Sequence, residues 1–394
     1  MSVSKRPDVK TDRGKPWRAR FWVTQDDGKR VQKSANFRTK SEAQAWERDM
    51  RAQVAKGVWR DPSGGQRALV ELFPKWLDGK ATITPKTREN YTRVWEGIVA
   101  PRWAHVRASA VRPSDVRVWL ATLTGVRGKA AGDSLRRQAF VVLSGVLDVA
   151  VLDGGLPTNP ARDAYQRKGD SPFKQTEHKR RRYLTAEEVE AVADAVGDHY
   201  RPFILASAYT GLRWGEITAL RVEDVDLLHN RLRVRRAASR VSGGVHYGLP
   251  KTKRAREVPL PRFLRADIEA RMYGRAPEDL LFTTPQGAPM DTSNFRTQVL
   301  APAAKRAGLA HLTHHDFRHT AASIAVAAGA DVKVLQSMLG HKSATMTLNV
   351  YSDLMPNRLD EVEDAMTAAR MRAVSGRVEA GLSPDRVAQI RQSS

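Results

Sequence analysis

The sequence contains no cysteine and no long apolar run. The first absence excludes disulfides, thiolate zinc sites and cysteine nucleophiles. The second argues against a membrane span, which needs about 18 apolar residues. The N-terminal stretch MSVSKRPDVKTDRGK also lacks the apolar core of a signal peptide, and the ATP-binding pattern GxxxxGK(S/T) is missing. We therefore expect a cytoplasmic protein without a membrane partner.

Positive charge is the strongest feature of the composition. The chain has 66 Lys and Arg against 43 Asp and Glu, a formal net charge of +23, and the excess is spread over its length. Such a charge attracts polyanions, and nucleic acid is the first candidate. A basic protein without such a partner is the plainer alternative. With 394 residues and 41% hydrophobic residues, the chain can form several domains with cores.

Residues 1–62 have the pattern of a small sheet followed by one helix. WRARFWV at 17–23 alternates polar and apolar residues, as a half-buried strand does. A turn signal at 26–28 precedes a second strand, GKRVQKSANF. Thr39 and Glu42 then have the spacing of a capping box, which predicts the start of a helix.

Residues 67–166 predict an all-α domain, because apolar residues recur there at helical spacing. Thr84 and Pro85 suit an N-cap and a first helical position. Residues 167–182 are polar and charged, and we interpret them as a linker.

Residues 183–374 predict a mixed α+β domain, followed by a polar C-terminal tail at 375–394. A second capping box, Thr185 to Glu188, opens its first helix. RLRVRRA and REVPLP predict two short strands around a lysine-bearing loop. The expected fold class is thus multidomain, mainly α with small β elements.

Four short stretches of this last domain carry candidate chemistry. They are TGLRWGEI at 210–217, PKTKRAREVPL at 250–260, HHDFRHT at 314–320 and LGHKSATMTLNVYSDL at 339–354. Taken singly, each has an ordinary explanation, such as an ion-paired arginine, a solvated turn or a core aromatic. His315 and His319, four residues apart, could bind zinc, but no HExxH motif or carboxylate pair completes a ligand set. We expect no metal and no cofactor.

Taken together, the order and spacing of these stretches resemble the tyrosine recombinase (phage integrase) family. That family has an Arg in a GxR-type turn, a Lys on a β-hairpin, a His-x-x-Arg, then a His or Trp, then a Tyr. In this chain the positions are held by Arg213, Lys251, His315, Arg318, His341 and Tyr351. The resemblance is strong over 180–370. Residues 67–165 are similar to the family's helical core-binding domain, and residues 1–60 more loosely to the arm-binding domain of some phage integrases.

The resemblance implies DNA cleavage through a phosphotyrosine. Tyr351 would be the nucleophile and would form a 3′-phosphotyrosine. Arg213 and Arg318 would bind the phosphate oxygens, because guanidinium forks match them and stay charged. His315 and His341 would donate hydrogen bonds to the same phosphate.

The remaining roles are less sharply assigned. A lysine would be the general acid for the 5′-oxygen; Lys251 fits the spacing better, but Lys253 in the same loop stays open. Glu216 would position the arginines. His319 would brace its helix, and His314 has no assigned role.

The implied partner is double-stranded DNA, at core-type sites and, through residues 1–62, at arm-type sites. The family works as a tetramer through a Holliday junction, and a host DNA-bending factor and an excisionase are further partners of such systems. An apolar stripe at Leu359, Val362 and Met366 would pack in the chain's own core or, as in the family, on a neighbouring protomer. Three alternatives remain: a type IB topoisomerase-like enzyme that relaxes strands, a non-catalytic DNA-binding or architectural protein, and a resolution or dimer-separating recombinase of the host chromosome, against which the small sheet and helix of residues 1–60 argue.

Overall fold

The computed structural model is mostly helical, with small antiparallel sheets. It describes residues 3–5, 14–24, 30–55, 65–125, 128–165, 173, 182–251, 254–309, 311–351 and 359–379, without the side chains of 23, 24, 346, 349–351, 359–362 and 375–379. The chain forms two compact units, Met1–Thr176 and Glu177–Ser394. The division falls within the predicted linker at 167–182, most of which lies outside the described residues.

The elements follow one another along the chain in this way. In the first unit the strands are β1 (Ser4–Lys5), β2 (Trp17–Thr24) and β3 (Arg30–Phe37), and the helices are α1 (Lys40–Ala55), α2 (Leu69–Asp78), α3 (Pro85–Val94), α4 (Ala100–Trp103), α5 (Pro113–Thr122), α6 (Asp133–Leu152) and α7 (Pro160–Asp163). In the second unit the strands are β4 (Val225–Asp226), β5 (Arg231–Val234), β6 (Ala237–Val241), β7 (Gly244–Gly248) and β8 (Arg256–Pro259). Its helices are α8 (Ala186–Ala195), α9 (Arg201–Thr210), α10 (Trp214–Ile217), α11 (Arg265–Met272), α12 (Thr292–Asn294), α13 (Ala301–Arg306), α14 (His314–Ala327), α15 (Val332–Leu339), α16 (Ala344–Tyr351) and α17 (Leu359–Glu379).

The N-terminal sheet has the predicted two-faced character. β2 pairs antiparallel with β1 and β3. Ala19 and Phe21 are buried on the face where Trp46 of α1 packs edge-on against Phe21. Because strand side chains alternate in direction, the other face carries Arg18, Arg20 and Trp22 of β2 and, opposite them, Asn36, Ser34 and Gln32 of β3. The capping box is confirmed, since Thr39 and Glu42 exchange hydrogen bonds between side chain and backbone N–H.

The helices of the first unit enclose an aromatic-rich core. Phe73 and Trp95 stack with ring centroids 4.5 Å apart, and Trp103 is 1% exposed. Thr84 caps α3 by accepting from Thr87 N, with Pro85 at the first helical position, as predicted. α6 contributes eight buried residues to this core, six of them consecutive at 142–147.

The second unit is built on helices with a small three-stranded sheet of order β4-β5-β8. The capping box of Thr185 and Glu188 is confirmed. The prediction of a plain loop between the strands at 231 and 256 is wrong, because the loop contains its own antiparallel hairpin, β6–β7. Its pairing register, Val241 with Gly244, leaves Ser242 and Gly243 as a two-residue turn.

Packing of the α17 stripe in the chain's own core is one of the two alternatives that the sequence left open, and it does not hold for Met366, which is 68% exposed. Every residue from 363 to 374 is exposed. The side chains of Leu359 and Val362, the other members of the predicted stripe, lie outside the described residues. α17 continues to Glu379 and so includes the first five residues of the predicted tail at 375–394. In the described ranges, the structure contains no helix long and apolar enough to cross a membrane.

Gly145 of α6 gives a stability test for the first unit. A Cβ there would lie closer than 3.0 Å to three atoms of the Trp76 indole. Gly145→Ala should lower the free energy of unfolding by about 1–3 kcal/mol, the usual cost of overpacking, although Ala favours a helix by up to about 1 kcal/mol. Gly132→Ser, at the N-cap of the same helix with nothing within 4 Å of its Cβ, is the control. Urea unfolding with equal midpoints for both variants would contradict the expected clash.

Candidate functional site

Arg213 and Glu216 form a compact unit at the start of α10. The Arg213 backbone N–H donates to Glu216 Oε2, and its Nη1 donates to Oε1, both at 2.9 Å. This is the geometry of an N-cap closed by an acid three residues on. Glu216 is 1% exposed, whereas the Arg213 side chain remains 25% exposed. Glu216 therefore holds Arg213 on its buried side, while part of the arginine side chain remains accessible to solvent.

Glu216 also binds a second arginine. Arg256, the first residue of β8, donates from Nη1 and Nη2 to the two carboxylate oxygens at 3.0 and 2.7 Å. Burial alone would raise the pKa of Glu216, but the hydrogen bonds and charges of Arg256 and Arg213 lower it to about 2. The carboxylate is thus ionised at neutral pH, as bidentate pairing requires.

Arg318 lies on the inner side of α14 and is 2% exposed. Its Nη1 donates to Gly211 O and its Nη2 to Leu339 O, both at 2.6 Å. Gly211 ends α9 with φ +66°. A Cβ there would lie 2.9 Å from a methyl of Leu339, so the position requires glycine on both conformational and steric grounds.

The C-terminus of α15 brings these arginines together. Met338 O accepts from Arg256 Nε at 3.1 Å, Leu339 O accepts from Arg318, and Gly340 O accepts from Arg213 Nη2 at 2.8 Å. Three consecutive carbonyls therefore hold three arginines that are distant in the sequence. We call this arrangement the arginine-carbonyl cluster. The carbonyls are the unpaired acceptors of a helix end, where the helix dipole favours cations.

His341 follows directly and is half-buried. Its Nδ1 is 2.9 Å from Thr347 Oγ1 of α16, and its backbone N–H donates to Gln336 O. Desolvation, followed by the charges of Arg318, Arg213 and Arg256, lowers its pKa to about 4. The ring is neutral at pH 7, so its Nε2 can donate only if Nδ1 accepts from the Thr347 hydroxyl.

The three histidines of α14 differ in their surroundings. His314 packs against the rings of Trp214 and Phe203, and its Nε2 is 3.2 Å from Ser207 Oγ. Desolvation is the main cause that lowers its pKa to about 3. It is a partly buried, neutral residue packed against core rings, and no chemical role was assigned to it from the sequence.

His315 lies at the surface, one helical turn before His319, with which it forms an edge-to-face contact at 4.9 Å. Partial desolvation and then the charge of Arg318 lower the pKa of His315. His319 also meets the ring of Tyr183 edge-on. These contacts fit a bracing position for His319 beside a solvent-facing His315.

The remaining candidates are only partly located. Lys251 is exposed and follows the hairpin closely, while Lys253 lies outside the described residues, so the choice between them stays open. Tyr351 is the last residue of α16, but its side chain is not among those described. The structure thus brings together Arg213, Glu216, Arg318 and His341, with His315 on the same helix as Arg318.

Sequence reasoning missed Arg256 and Thr347. Both contact predicted site residues directly. Arg256 could have been singled out as the one arginine in a strand otherwise read only for its apolar pattern, but nothing in the sequence pointed to Glu216 as its partner. Among the described residues, no three His, Asp or Glu side chains gather as a metal site would require.

Comparisons with known proteins show which families and relatives the chain resembles. The phage integrase family matches residues 182–358, and the Arm DNA-binding domain matches residues 9–54. The integrase of Mycobacterium phage L5 is 31% identical over 361 residues, which cover 88% of this chain and 93% of that protein. A putative prophage phiRv2 integrase of Mycobacterium tuberculosis is 29% identical over 350 residues, covering 84% of this chain and 87% of that protein.

Solved structures share the fold. The Tn1549 transposon integrase in complex with transposon right end DNA has a TM-score of 0.61 at 21% identity, over 77% of this chain and 100% of that one. A lambda integrase tetramer bound to a Holliday junction has a TM-score of 0.55 at 17% identity, over 82% of this chain and 96% of that one.

His314 and His341, whose pKa values are strongly lowered, predict a pH dependence of stability. The pKa values of His314 and His341 are about 3 and about 4 in the folded protein against about 6.5 in an unfolded chain. The unfolded state therefore binds more protons below pH 6.5, and the free energy of unfolding should fall as pH drops from 6.5 toward 4. Urea unfolding at pH 6.5, 5.5 and 4.5 measures this slope, which should be shallower in His314→Asn. Equal slopes for the two proteins would show that His314 is not held neutral.

Gly340 gives a test of the arginine-carbonyl cluster. It has φ +61°, and a Cβ would lie 2.9–3.0 Å from the Arg256 guanidinium. Gly340→Ala should therefore cost more than the strain of positive φ alone, which is about 1–2 kcal/mol. Gly274→Ala is matched to it, with φ +71° and nothing within 4 Å. Urea unfolding should show the larger loss for Gly340→Ala; equal losses would mean that the contact with Arg256 is not tight.

Proposed function

The chain belongs to the phage integrase family of tyrosine recombinases, and we propose that it is the site-specific integrase of a phage or integrative element. It would cut and rejoin DNA through a 3′-phosphotyrosine and a Holliday junction. The observation that carries the proposal is the arginine-carbonyl cluster. Arg213 and Arg318, 105 residues apart in sequence, bind the adjacent carbonyls Gly340 O and Leu339 O beside His341.

The two arginines would bind the non-bridging oxygens of the scissile phosphate. Arg213 donates from one nitrogen to a backbone carbonyl and is also paired with Glu216. Arg318 donates from two nitrogens to backbone carbonyls. These hydrogen bonds fix the orientation of each guanidinium before DNA binds, and they do not fully neutralise its positive charge. Preorganised cations of this kind stabilise charge that develops in the transition state.

The histidines would complete the phosphate site. At neutral pH His341 is uncharged, and Thr347 fixes the orientation of its ring. Negative charge that develops on the oxygens of a nearby phosphate would favour a hydrogen bond donated by the Nε2–H of His341. His315, on the exposed side of the same helix as Arg318, would donate from another direction.

Tyr351 would attack the phosphorus and Lys251 would protonate the leaving 5′-oxygen. A phenol has an ordinary pKa of about 10, so nearby cations must favour its phenolate. The bond between tyrosine and phosphate conserves the energy of the cleaved phosphodiester. No ATP is therefore needed, and the arginines would supply the electrostatic stabilisation that metal ions give elsewhere.

DNA binding would use both units. The domains would be an arm-binding domain at 1–62, a helical core-binding domain at 67–166, a linker at 167–182 and a catalytic domain at 183–374. In the first of these, Arg18, Arg20 and Trp22 point away from α1, and Arg30 lies over the Trp22 ring at 5.9 Å. A two-stranded surface with basic and aromatic side chains can enter a major groove, which supports binding to arm-type sites.

The assembly would be a homotetramer on DNA. α17 is exposed from 363 to 374 and presents Met366, Met371 and Val374 at its surface. This exposure favours docking of the C-terminal segment on a neighbouring protomer over packing in the chain's own core. A host DNA-bending factor and an excisionase would join such a complex.

The test is a suicide-substrate assay with Tyr351→Phe. DNA flanking the protein's own gene is nicked near candidate crossovers and mixed with protein in EDTA. We expect a covalent protein–DNA adduct on a denaturing gel, absent in Tyr351→Phe because the nucleophilic oxygen is gone. Tyr273→Phe, which alters a tyrosine 90% exposed in the same unit, should still form it.

Other outcomes would redirect the assignment. An adduct that survives Tyr351→Phe would mean that another residue is the nucleophile. Salt-sensitive binding without an adduct would favour the architectural alternative. Relaxation of a supercoiled plasmid without recombinant products would favour the type IB topoisomerase-like alternative.

A further inference from the structure

Arg256 has no place in the six-residue constellation, yet it contacts two parts of it. All three guanidinium nitrogens donate: Nη1 and Nη2 to Glu216, and Nε to Met338 O. Its side chain is 9% exposed. Both Nη atoms form a bidentate pair with a carboxylate, which takes the place that a phosphate would occupy on this fork, so Arg256 would not bind DNA directly.

The partners of Arg256 lie on two separate segments. Glu216 belongs to α10 and holds Arg213 through two further hydrogen bonds. Met338 belongs to the last turn of α15, immediately before the carbonyls that hold Arg318 and Arg213 and before His341. One side chain therefore sets the distance between the α10 turn and the end of α15.

The contact is close as well as polar. The nearest neighbours of a Cβ built on Gly340 would be Arg256 Cζ, Nε and Nη1 at 2.9–3.0 Å. The guanidinium thus lies against the one residue that turns the chain from α15 toward His341. Gly340 has a left-handed φ of +61°. Arg256 packs against the turn in this conformation.

The position of Arg256 in the chain adds a third connection. It is the first residue of β8 and pairs with Val234 of β5. The loop that carries Lys251 re-enters the sheet at this residue. The residue whose side chain contacts Glu216 and Met338 therefore also fixes one end of the lysine loop through its backbone.

We propose that Arg256 is a positioning residue for DNA cleavage, which holds Glu216 and the 338–341 turn at the spacing that Arg213, Arg318 and His341 need. This inference rests on the proposed function and assigns a residue outside the family constellation. Since a misplacement of about 1 Å can cost about 100-fold in rate, loss of Arg256 should act on the rate of cleavage and leave the affinity for DNA nearly unchanged.

The test compares Arg256→Gln and Arg256→Lys with wild type. Adduct formation on the nicked substrate is measured in single turnover at saturating DNA, and DNA affinity is measured separately by titration. Arg256→Gln should slow adduct formation about 10- to 100-fold, with the dissociation constant within about twofold. Arg256→Lys keeps the charge but not the three-way contact, so it should fall in between.

Arg201→Gln is the matched control. Arg201 also bridges two carboxylates, Glu190 and Asp194, in the same unit, but it lies at the opposite end of α9 from Gly211, about 15 Å away at 1.5 Å per residue. Its loss should leave the adduct rate unchanged. If Arg256→Gln does not fold, Arg256→Lys carries the rate comparison.

Two further readouts separate positioning from a general structural role. Glu216→Gln and the double variant Glu216→Gln/Arg256→Gln should slow cleavage to a similar extent, because residues that act through one another are not additive. In DNA-free protein, NMR titration should show the pKa of His341 raised toward its ordinary value in Arg256→Gln and still low in Arg256→Lys, since Arg256 is one of the charges that lower it.

The outcomes distinguish the inference from the proposed function. If Arg256→Gln forms adduct as fast as wild type while Tyr351→Phe forms none, the inference is wrong and the function stands. If Arg256→Gln weakens DNA binding but cleaves at the wild-type rate when saturated, Arg256 contacts DNA and the positioning role is wrong. If wild type forms no adduct with DNA that it binds, the proposed function fails, and the inference fails with it.

Discussion

The site depends on the hydrogen bonds that the end of α15 accepts from three arginines. Arg213, Arg318 and Arg256 carry like charges that would repel one another in a low-dielectric interior. Three consecutive carbonyls and the single carboxylate of Glu216 offset that repulsion. Three cations against one anion leave the site electropositive, so it suits a phosphate diester.

Burial and the arginine charges together decide the protonation states around the site. Glu216 stays ionised because of its arginine partners, whereas desolvation, followed by the charges of nearby arginines, lowers the pKa of His341 and His315. An incoming phosphate would add negative charge and act in the opposite direction on both histidines. The DNA-free protein therefore holds its histidines uncharged until the group that they would contact is present, which limits the repulsion within the cluster.

Where local sequence signals were strong, they predicted the elements of the fold correctly. Thr39 with Glu42 and Thr185 with Glu188 each start a helix, because a capping box acts within four residues. The sequence analysis missed the β6–β7 hairpin because polar and apolar residues alternate only weakly in its strands. The dipeptide Ser242-Gly243 is nevertheless a turn signal. The stripe at Met366 left core packing and docking on a neighbouring protomer both open, since an apolar stripe shows that a helix has a preferred face and not which surface covers it.

By itself the sequence determined the family constellation, the capping boxes and the basic character of the chain, since motif spacing, local hydrogen bonding and charge do not depend on distant contacts. Tertiary structure alone decided that Arg256 binds Glu216, that Thr347 orients His341, that His314 packs against core rings, and that three consecutive carbonyls hold three arginines. Each of these joins residues on separate elements, from 6 residues apart for His341 and Thr347 to 127 for Arg213 and Gly340. Such pairings follow from how α9, α10, α14, α15 and β8 pack, and packing is a property of the whole core.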